Sequence, residues 1–593
     1  MTQLKSKAIV YQVFTRLFGN KNTTNKPWGT RQENGVGKFS DFTDKALAEI
    51  KNLGVTHIWY TGVPHHALVG DYTQYGIVND HPAVVKGRAG SPYAVKDYYN
   101  VNPDLAIDPA QRLNEFVALI ERSHQHGLKV IIDIVPNHVA REYQGLTNPT
   151  FIKDFGINDD ITVAYHRDNN FYYIPHTSFH LPEFDRFSLP LGGEKRPLLL
   201  TPFVEFPAKW TGNGSRLAQP TCDDWYETVK INYGIRPDGS KDFACLPAEY
   251  AQYGYEDHYL FWQRKDVPDS WLKFYDIAMY WLALGVDGFR YDMAEMVPVE
   301  FWSFLNSAIK NKKPDTFLLA EVYQPQLYRD YIHLGKMDYL YNKIDLYDTL
   351  KAIIRGEKTT DVLVGVKSDL IDIEHQMLNF LENHDEQRIP SPDFASFAEN
   401  GKPAMVVSTL LSSSPTMVYF GQEVGEPAAE DAGFGLASRT TIFDYFGVPH
   451  HQRWMNNGEF DGGLLTESEK YLRLFYQRLL NFAKNSQAVM EEYYDLHSYN
   501  RQINANYTDK LFAFSRYNET EKIITLVNFE NQQSKLSSLF IPVELISRWS
   551  LNDGDYLLND ILEPTRKIKF SVKKGKGEII LSLDKLDCYI LQL

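Results

Sequence analysis

The sequence predicts an α/β protein, a (β/α)8 TIM barrel with an inserted subdomain after the third strand and a C-terminal all-β sandwich. Three observations lead there. Short apolar runs alternate with amphipathic segments, the pattern of parallel strands covered by helices. That rhythm breaks once, between about Ala140 and Tyr255, in a polar, aromatic and Pro-rich stretch too long for an ordinary loop. Beyond about Glu491 helical periodicity gives way to β-rich segments. The expected division is 1–139 and 256–490 for the two parts of the barrel, 140–255 for the insertion and 491–593 for the β domain.

Ala8 to Phe14 reads as the first strand. Ser40 is positioned to cap a helix whose Leu47, Ile50 and Leu53 recur at helical spacing until Gly54 ends it. The second strand is Thr56 to Tyr60. Leu113, Phe116, Val117 and Ile120 form the next helical stripe, stopped by Gly127, and Lys129 to Val135 is a buried third strand. After the insertion come a helix over Ser270 to Leu284, strand Val286 to Arg290, helix Val299 to Ile309 and strand Thr316 to Ala320. Three more strands fall near Met337 to Tyr341, Met377 to Leu381 and Thr416 to Phe420, which completes eight. Thr466 and Glu469 make a capping box for a late helix carrying Leu472, Phe475 and Leu479. Strands of the last domain are expected at Leu511 to Tyr517, Lys522 to Phe529, Glu578 to Leu583 and Tyr589 to Leu593.

Composition narrows the function. At 593 residues the chain exceeds what one hydrophobic core holds, and 43% hydrophobic with 23% charged residues is globular. A formal net charge of −15 argues against a general polyanion binder, since phosphate affinity comes from lysine and arginine. A neutral polymer suits this balance better. The three cysteines, Cys222, Cys245 and Cys588, lack zinc or redox spacing and read as isolated buried thiols. Met1 to Lys7 contain no apolar leader core, which points to a cytoplasmic protein. The uncharged run from Pro403 to Gln422 is rich in Ser and Thr, so it reads as a buried helix and strand rather than a membrane span.

Carboxylates collect where predicted strands end. Asp133 to His138 reads Asp-Ile-Val-Pro-Asn-His, Gly288 to Met296 reads Gly-Phe-Arg-Tyr-Asp-Met-Ala-Glu-Met, Leu319 to Tyr323 reads Leu-Ala-Glu-Val-Tyr, and Phe380 to Arg388 reads Phe-Leu-Glu-Asn-His-Asp-Glu-Gln-Arg. In a parallel barrel all C-terminal strand ends face one mouth, so Asp292, Glu321 and Asp385 are predicted to converge.

In order and spacing these four segments resemble the four signature regions of the α-amylase family of glycoside hydrolases, family 13. Tyr11-Gln12-Val13-Phe14, Leu53 to Trp59, Tyr93 to Tyr98 and Tyr419 to Glu423 agree, and the resemblance covers about Ala8 to Lys484. It implies a retaining hydrolase acting on α-1,4-glucans or maltooligosaccharides. Such cleavage needs two carboxyls about 5–5.5 Å apart, one attacking the anomeric carbon and one protonating the leaving oxygen. By similarity Asp292 is the nucleophile, Glu321 the acid/base and Asp385 the third carboxylate, which holds sugar hydroxyls. Arg290 shares the strand face of Asp292 and keeps it ionised; Asp133 resembles a partner of that arginine. His138 and His384 resemble the histidines that hydrogen-bond the sugar, and Tyr93 the aromatic platform beneath it.

The resemblance also implies structural calcium. Asn20, Asn22 and Asn25 sit in an Asn-rich loop like a calcium loop of some members, and Asn137 resembles a ligand beside the inserted subdomain. The chain departs from the family where many members carry Lys-His after the nucleophile: here stand Glu295 and Met296. A 4-α-glucanotransferase or glucosyl isomerase uses the same covalent intermediate and remains open. So does, from another class, a catalytically inactive carbohydrate-binding relative, against which Asp292, Glu321 and Asp385 together count.

Overall fold

The computed structural model describes residues 6–183 and 202–593. Eight parallel strands close into a barrel: β1 (Ile9–Phe14), β2 (His57–Thr61), β3 (Lys129–Ile134), β4 (Gly288–Tyr291), β5 (Phe317–Ala320), β6 (Tyr339–Tyr341), β7 (Met377–Phe380) and β8 (Thr416–Tyr419). Each follows its predecessor around the ring, and β8 returns to pair with β1. Residues of all eight strands are buried almost throughout because helices cover the outside while side chains fill the inside.

Register positions the chemistry. In the β3/β4 pair Asp133 lies opposite Arg290, and in the β4/β5 pair Arg290 lies opposite Leu319. Neighbouring residues in register share a sheet face, so Asp133 and Arg290 meet inside the barrel, one step below its C-terminal mouth. Helix Asp269–Ala283 buries Trp271, Phe274, Ile277, Ala278 and Trp281 on one stripe and leads into β4. The uncharged run divides as expected into the buried helix Lys402–Leu410 and β8. Among the described residues no helix is long and apolar enough to cross a membrane.

Two local expectations differ from the structure. Ser40 does not cap the first long helix; it lies within a 3-10 turn (Phe39–Asp41), and Thr43 caps Asp44–Asn52 by accepting from Ala46 N. The thiols are not all buried: Cys222 and Cys245 are exposed and only Cys588 is buried. Cys222 and Cys245 both sit in the irregular region between β3 and β4, whose described residues hold little regular structure to cover them.

Among its described residues that region contains only very short strands. His138–Ala140 pairs with Thr228–Lys230, and Tyr173–Ile174 pairs with Ala208–Lys209, both antiparallel. The first pair anchors the excursion to the barrel mouth immediately after β3. After helix Glu467–Asn485, which starts with the predicted Thr466/Glu469 capping box, the C-terminal domain forms one eight-stranded antiparallel sheet. Leu526, Leu591, Leu558, Phe570 and Ile579 from successive strands of this sheet belong to one apolar cluster, the core of this domain.

Candidate active site

The mouth of the barrel opens on a cavity of about 430 Å³ whose lining includes Tyr93, His138, Asp292, Glu321 and Asp385. The predicted convergence of three carboxyls from β4, β5 and β7 is therefore present. Beneath them lies Arg290, fully buried. Its Nη1 donates to Asp292 Oδ1 at 2.7 Å, its Nη2 to Glu321 Oε2 at 2.9 Å, and its Nε to the Tyr341 hydroxyl at 3.2 Å. Asp133 Oδ1 lies 3.6 Å from Nη1, and Trp59 Nε1 donates to Asp133 Oδ2 at 3.0 Å. One guanidinium thus spaces two carboxyls by its own width plus two hydrogen bonds, which is compatible with the separation of about 5–5.5 Å that retaining cleavage requires.

Burial pushes the Asp292 carboxyl well above its usual range and outweighs the ionising pull expected of Arg290, and Glu321 pushes it further up. Asp385 keeps 40% of its side chain open to the cavity. Burial of the remainder, followed by repulsion from Glu321, nevertheless raises it to about 7. Asp133, closed from solvent, is raised to about 6 by burial, with Arg290 opposing. One cation among four close carboxyls leaves excess negative charge, so the cluster favours a bound proton and any developing positive charge.

Both histidines of the site are neutral; His138 lines the cavity, whereas His384 is enclosed behind Tyr93 and Asp385 and is not part of the lining. Burial lowers His138 to about 3 and holds His384 well below the ordinary imidazole range. His384 is fixed at both nitrogens: Gln12 Nε2 lies 2.8 Å from Nδ1, while the Tyr93 hydroxyl and, at 3.0 Å, Asp385 Oδ2 approach Nε2. Tyr93 also stacks on His384, with centroids 5.2 Å apart. His138 opens the strand that pairs with Thr228–Lys230 and packs edgewise on Trp225.

Several lining groups were not singled out from sequence. Tyr323 donates its hydroxyl to Glu321 Oε1. Lys86 and Glu227 form an ion pair of 2.6 Å in the cavity wall, and Trp225, Arg439 and Phe443 also line it. Tyr323 stands within a quoted motif, but the others come from loops whose only signal is proximity in the fold.

The asparagines expected to hold calcium do not come together as a cation site. Asn20 donates to Asn34 O and Phe446 O and accepts from Asn22 N; Asn22 accepts from Thr24 N; Asn25 exchanges both its amide atoms with Gly447. These amides tie a loop to the segment near residue 447. At Asn137 the side-chain nitrogen donates to Gly212 O at 2.9 Å, and its oxygen receives the Lys230 ammonium. A lysine cation at that oxygen does not fit a calcium ion there, because like charges exclude each other and calcium takes six to eight oxygens. No group of three or more His, Cys, Asp or Glu among the described residues is arranged to hold a metal.

The comparisons with known proteins agree with this geometry. Alpha-amylase 3 of Dictyoglomus thermophilum is 23% identical over 438 residues, 70% of this chain and 64% of that protein. Neopullulanase 2 of Thermoactinomyces vulgaris is 20% identical over 72% of this chain and 57% of its own length. The chain thus spans somewhat under two thirds of the curated relatives it matches. Among solved structures, a noncanonic maltogenic alpha-amylase from Thermotoga neapolitana has the same fold with a TM-score of 0.58, at 16% identity over 99% of this chain and 98% of its own. An alpha-amylase from Lactobacillus plantarum superposes with a TM-score of 0.56 at 18% identity over 100% of both chains. The family described as alpha amylase, catalytic domain, matches residues 12–171 and 251–453, which hold all four strand-end motifs, and the chain belongs to that family.

Proposed function

We propose that the chain is a retaining α-glucoside hydrolase acting on α-1,4-glucans or maltooligosaccharides. The observation that carries this reading is Arg290 bridging Asp292 and Glu321 at the floor of a cavity that Asp385 also lines. Asp292 attacks the anomeric carbon while Glu321 gives its proton to the departing glycosidic oxygen. The resulting glycosyl-aspartate ester is broken by water from which Glu321 takes back a proton. Two inversions return the α configuration. Asp385 and the neutral His138 and His384 hold sugar hydroxyls, and Tyr93 lies against the ring face. The negative surplus of the carboxyl cluster stabilises the oxocarbenium-like transition state, because its charge develops where the anions already sit.

The relatives named above support the α-glucan substrate, and an intracellular maltogenic amylase of Bacillus subtilis at 22% identity supports an intracellular setting. Calcium has no role in this reading. The test is a time course of products from a defined linear maltooligosaccharide, followed by NMR, with and without added glucose. Shorter oligosaccharides released as α-anomers support the proposal. β-Anomers at the first time points refute it, and products formed only when glucose is present assign the chain to glucanotransfer instead.

A further inference from the structure

Glu295 occupies a position where many family members carry lysine, and the two side chains cannot do the same work. Lysine offers three donors and no acceptor, whereas an ionised carboxylate only accepts. Glu295 Oε2 accepts from two successive backbone groups, Tyr323 N at 2.9 Å and Gln324 N at 3.1 Å, and Oε1 lies 3.4 Å from Gln324 Nε2. Both amides belong to the turn that follows Glu321.

The lacing runs in the opposite direction too. Met293, held at φ 45° in the left-handed region, donates its N–H to Glu321 Oε2 at 2.8 Å. Tyr323, whose amide Glu295 holds, donates its hydroxyl to Glu321 Oε1. Glu295 is itself anchored, since the Tyr331 hydroxyl donates to Glu295 O at 3.0 Å and to Val297 O at 2.8 Å. The segment after the nucleophile and the segment after the acid/base are therefore fastened at three points. Charge-assisted bonds from a carboxylate to backbone N–H groups are among the stronger ones available.

We propose that Glu295 is a positioning residue for the acid/base Glu321, acting through the Tyr323–Gln324 turn and the Tyr323 hydroxyl. The inference rests on the acid/base assignment made above. Burial keeps Tyr323 well above the ordinary phenol range, so its hydroxyl stays protonated. It can donate to the Glu321 carboxylate once the proton has passed to the leaving oxygen, and accept from the acid before that. A lysine at 295 would leave both amides without an acceptor and free the turn to shift.

The experiment exploits the leaving group. Maltotriose needs a proton on its departing oxygen, whereas α-maltosyl fluoride releases fluoride without one. Glu295→Ala is expected to lower kcat on maltotriose by about 10²-fold, the cost of a misplaced catalytic group. KM on maltotriose should change little, and kcat/KM on the fluoride, which reports the bond-breaking step alone, should stay near that of the unaltered enzyme even where kcat falls because Glu321 also serves as base in the second step. Glu295→Gln, which keeps one acceptor oxygen, should recover most of the loss, and Tyr323→Phe should show the same preference for the fluoride. An equal loss of kcat/KM on both donors, or a change on maltotriose confined to KM, would overturn the proposal. If Glu295→Ala does not fold, Glu295→Gln and Tyr323→Phe decide by the same ratio. Glu321→Gln is the control: if it lacks the preference for fluoride, the acid/base assignment has failed rather than the role of Glu295.

Discussion

The ammonium of Lys230 meets the side-chain oxygen of Asn137 immediately after β3, where the strand His138–Ala140 begins its pairing with Thr228–Lys230. A protein cation thus holds the junction between the barrel and the excursion that follows β3. Burial lowers the Lys230 amine to about 8, so it remains largely charged at neutral pH. Activity and Tm are therefore expected to be unchanged by EDTA. Lys230→Ala should destabilise the protein by about 1–3 kcal/mol, since it leaves the buried Asn137 oxygen without a partner. A fall in Tm on chelation that added calcium reverses would show that a metal occupies this junction.

Asp292→Asn and Glu321→Gln remove the two carboxyls proposed to react while preserving shape. Loss of proton transfer at Glu321 should cost about 10²–10⁴-fold in kcat on oligosaccharides, and loss of the nucleophile at Asp292 at least as much. Neither should lower Tm, because each substitution relieves a crowded set of negative charges around Arg290. Near-full activity in either variant, measured with unaltered circular dichroism, would remove that residue from the mechanism.

The crowding has a sign that thermal melts can read. Asp385 titrates near 7 in the folded protein and near 4 when unfolded. A carboxyl whose folded pKa is raised contributes stability that is complete below about pH 4 and lost as pH rises towards 7. Asp385→Asn, which cannot ionise, should therefore gain Tm relative to the unaltered protein as pH rises from about 4 to about 7, with no further gain above that. Solvent at the open side of Asp385 limits the gain to about 1 kcal/mol. A pH-independent difference would show that Asp385 ionises in the folded protein as it does in water.

Much of this site could be read from sequence because its parts sit at strand ends. Strands are specified by local apolar runs, and each barrel strand falls within two residues of its predicted start. A closed parallel barrel then brings Asp292, Glu321 and Asp385 together without further information. What the sequence did not reveal depends on contacts between loops. Ser40 and Thr43 are equally good capping residues in isolation, and only the 3-10 turn at Phe39–Asp41 decides for Thr43. The two-residue strands Tyr173–Ile174 and Ala208–Lys209 are too short to carry a periodic signal. Glu295 reads as a departure from a motif, and its hold on two backbone amides 28 and 29 residues away has no sequence signature. The lysine that meets Asn137 likewise lies 93 residues further along the chain.

The shape of the cavity bears on substrate size. Lys86, from the loop between β2 and β3, and Glu227, from the excursion after β3, meet at 2.6 Å, and Glu227 is almost fully enclosed. Trp225, Arg439 and Phe443 share this lining, so the carboxyl cluster lies in a walled cavity that stays open at Asp385. A flexible oligosaccharide can thread into such a recess, but a chain packed in a granule must first be pulled free of its neighbours. kcat/KM should therefore be higher on soluble α-1,4-linked oligosaccharides than on insoluble starch, with transfer products at high substrate concentration as a second sugar competes with water. Lys86→Ala, which opens the wall without touching Asp292 or Glu321, should narrow the gap between soluble and granular substrates and alter the product length distribution. Equal rates on both substrates in the unaltered enzyme, or activity confined to sucrose, trehalose or isomaltose, would show that the recess selects a different glycoside.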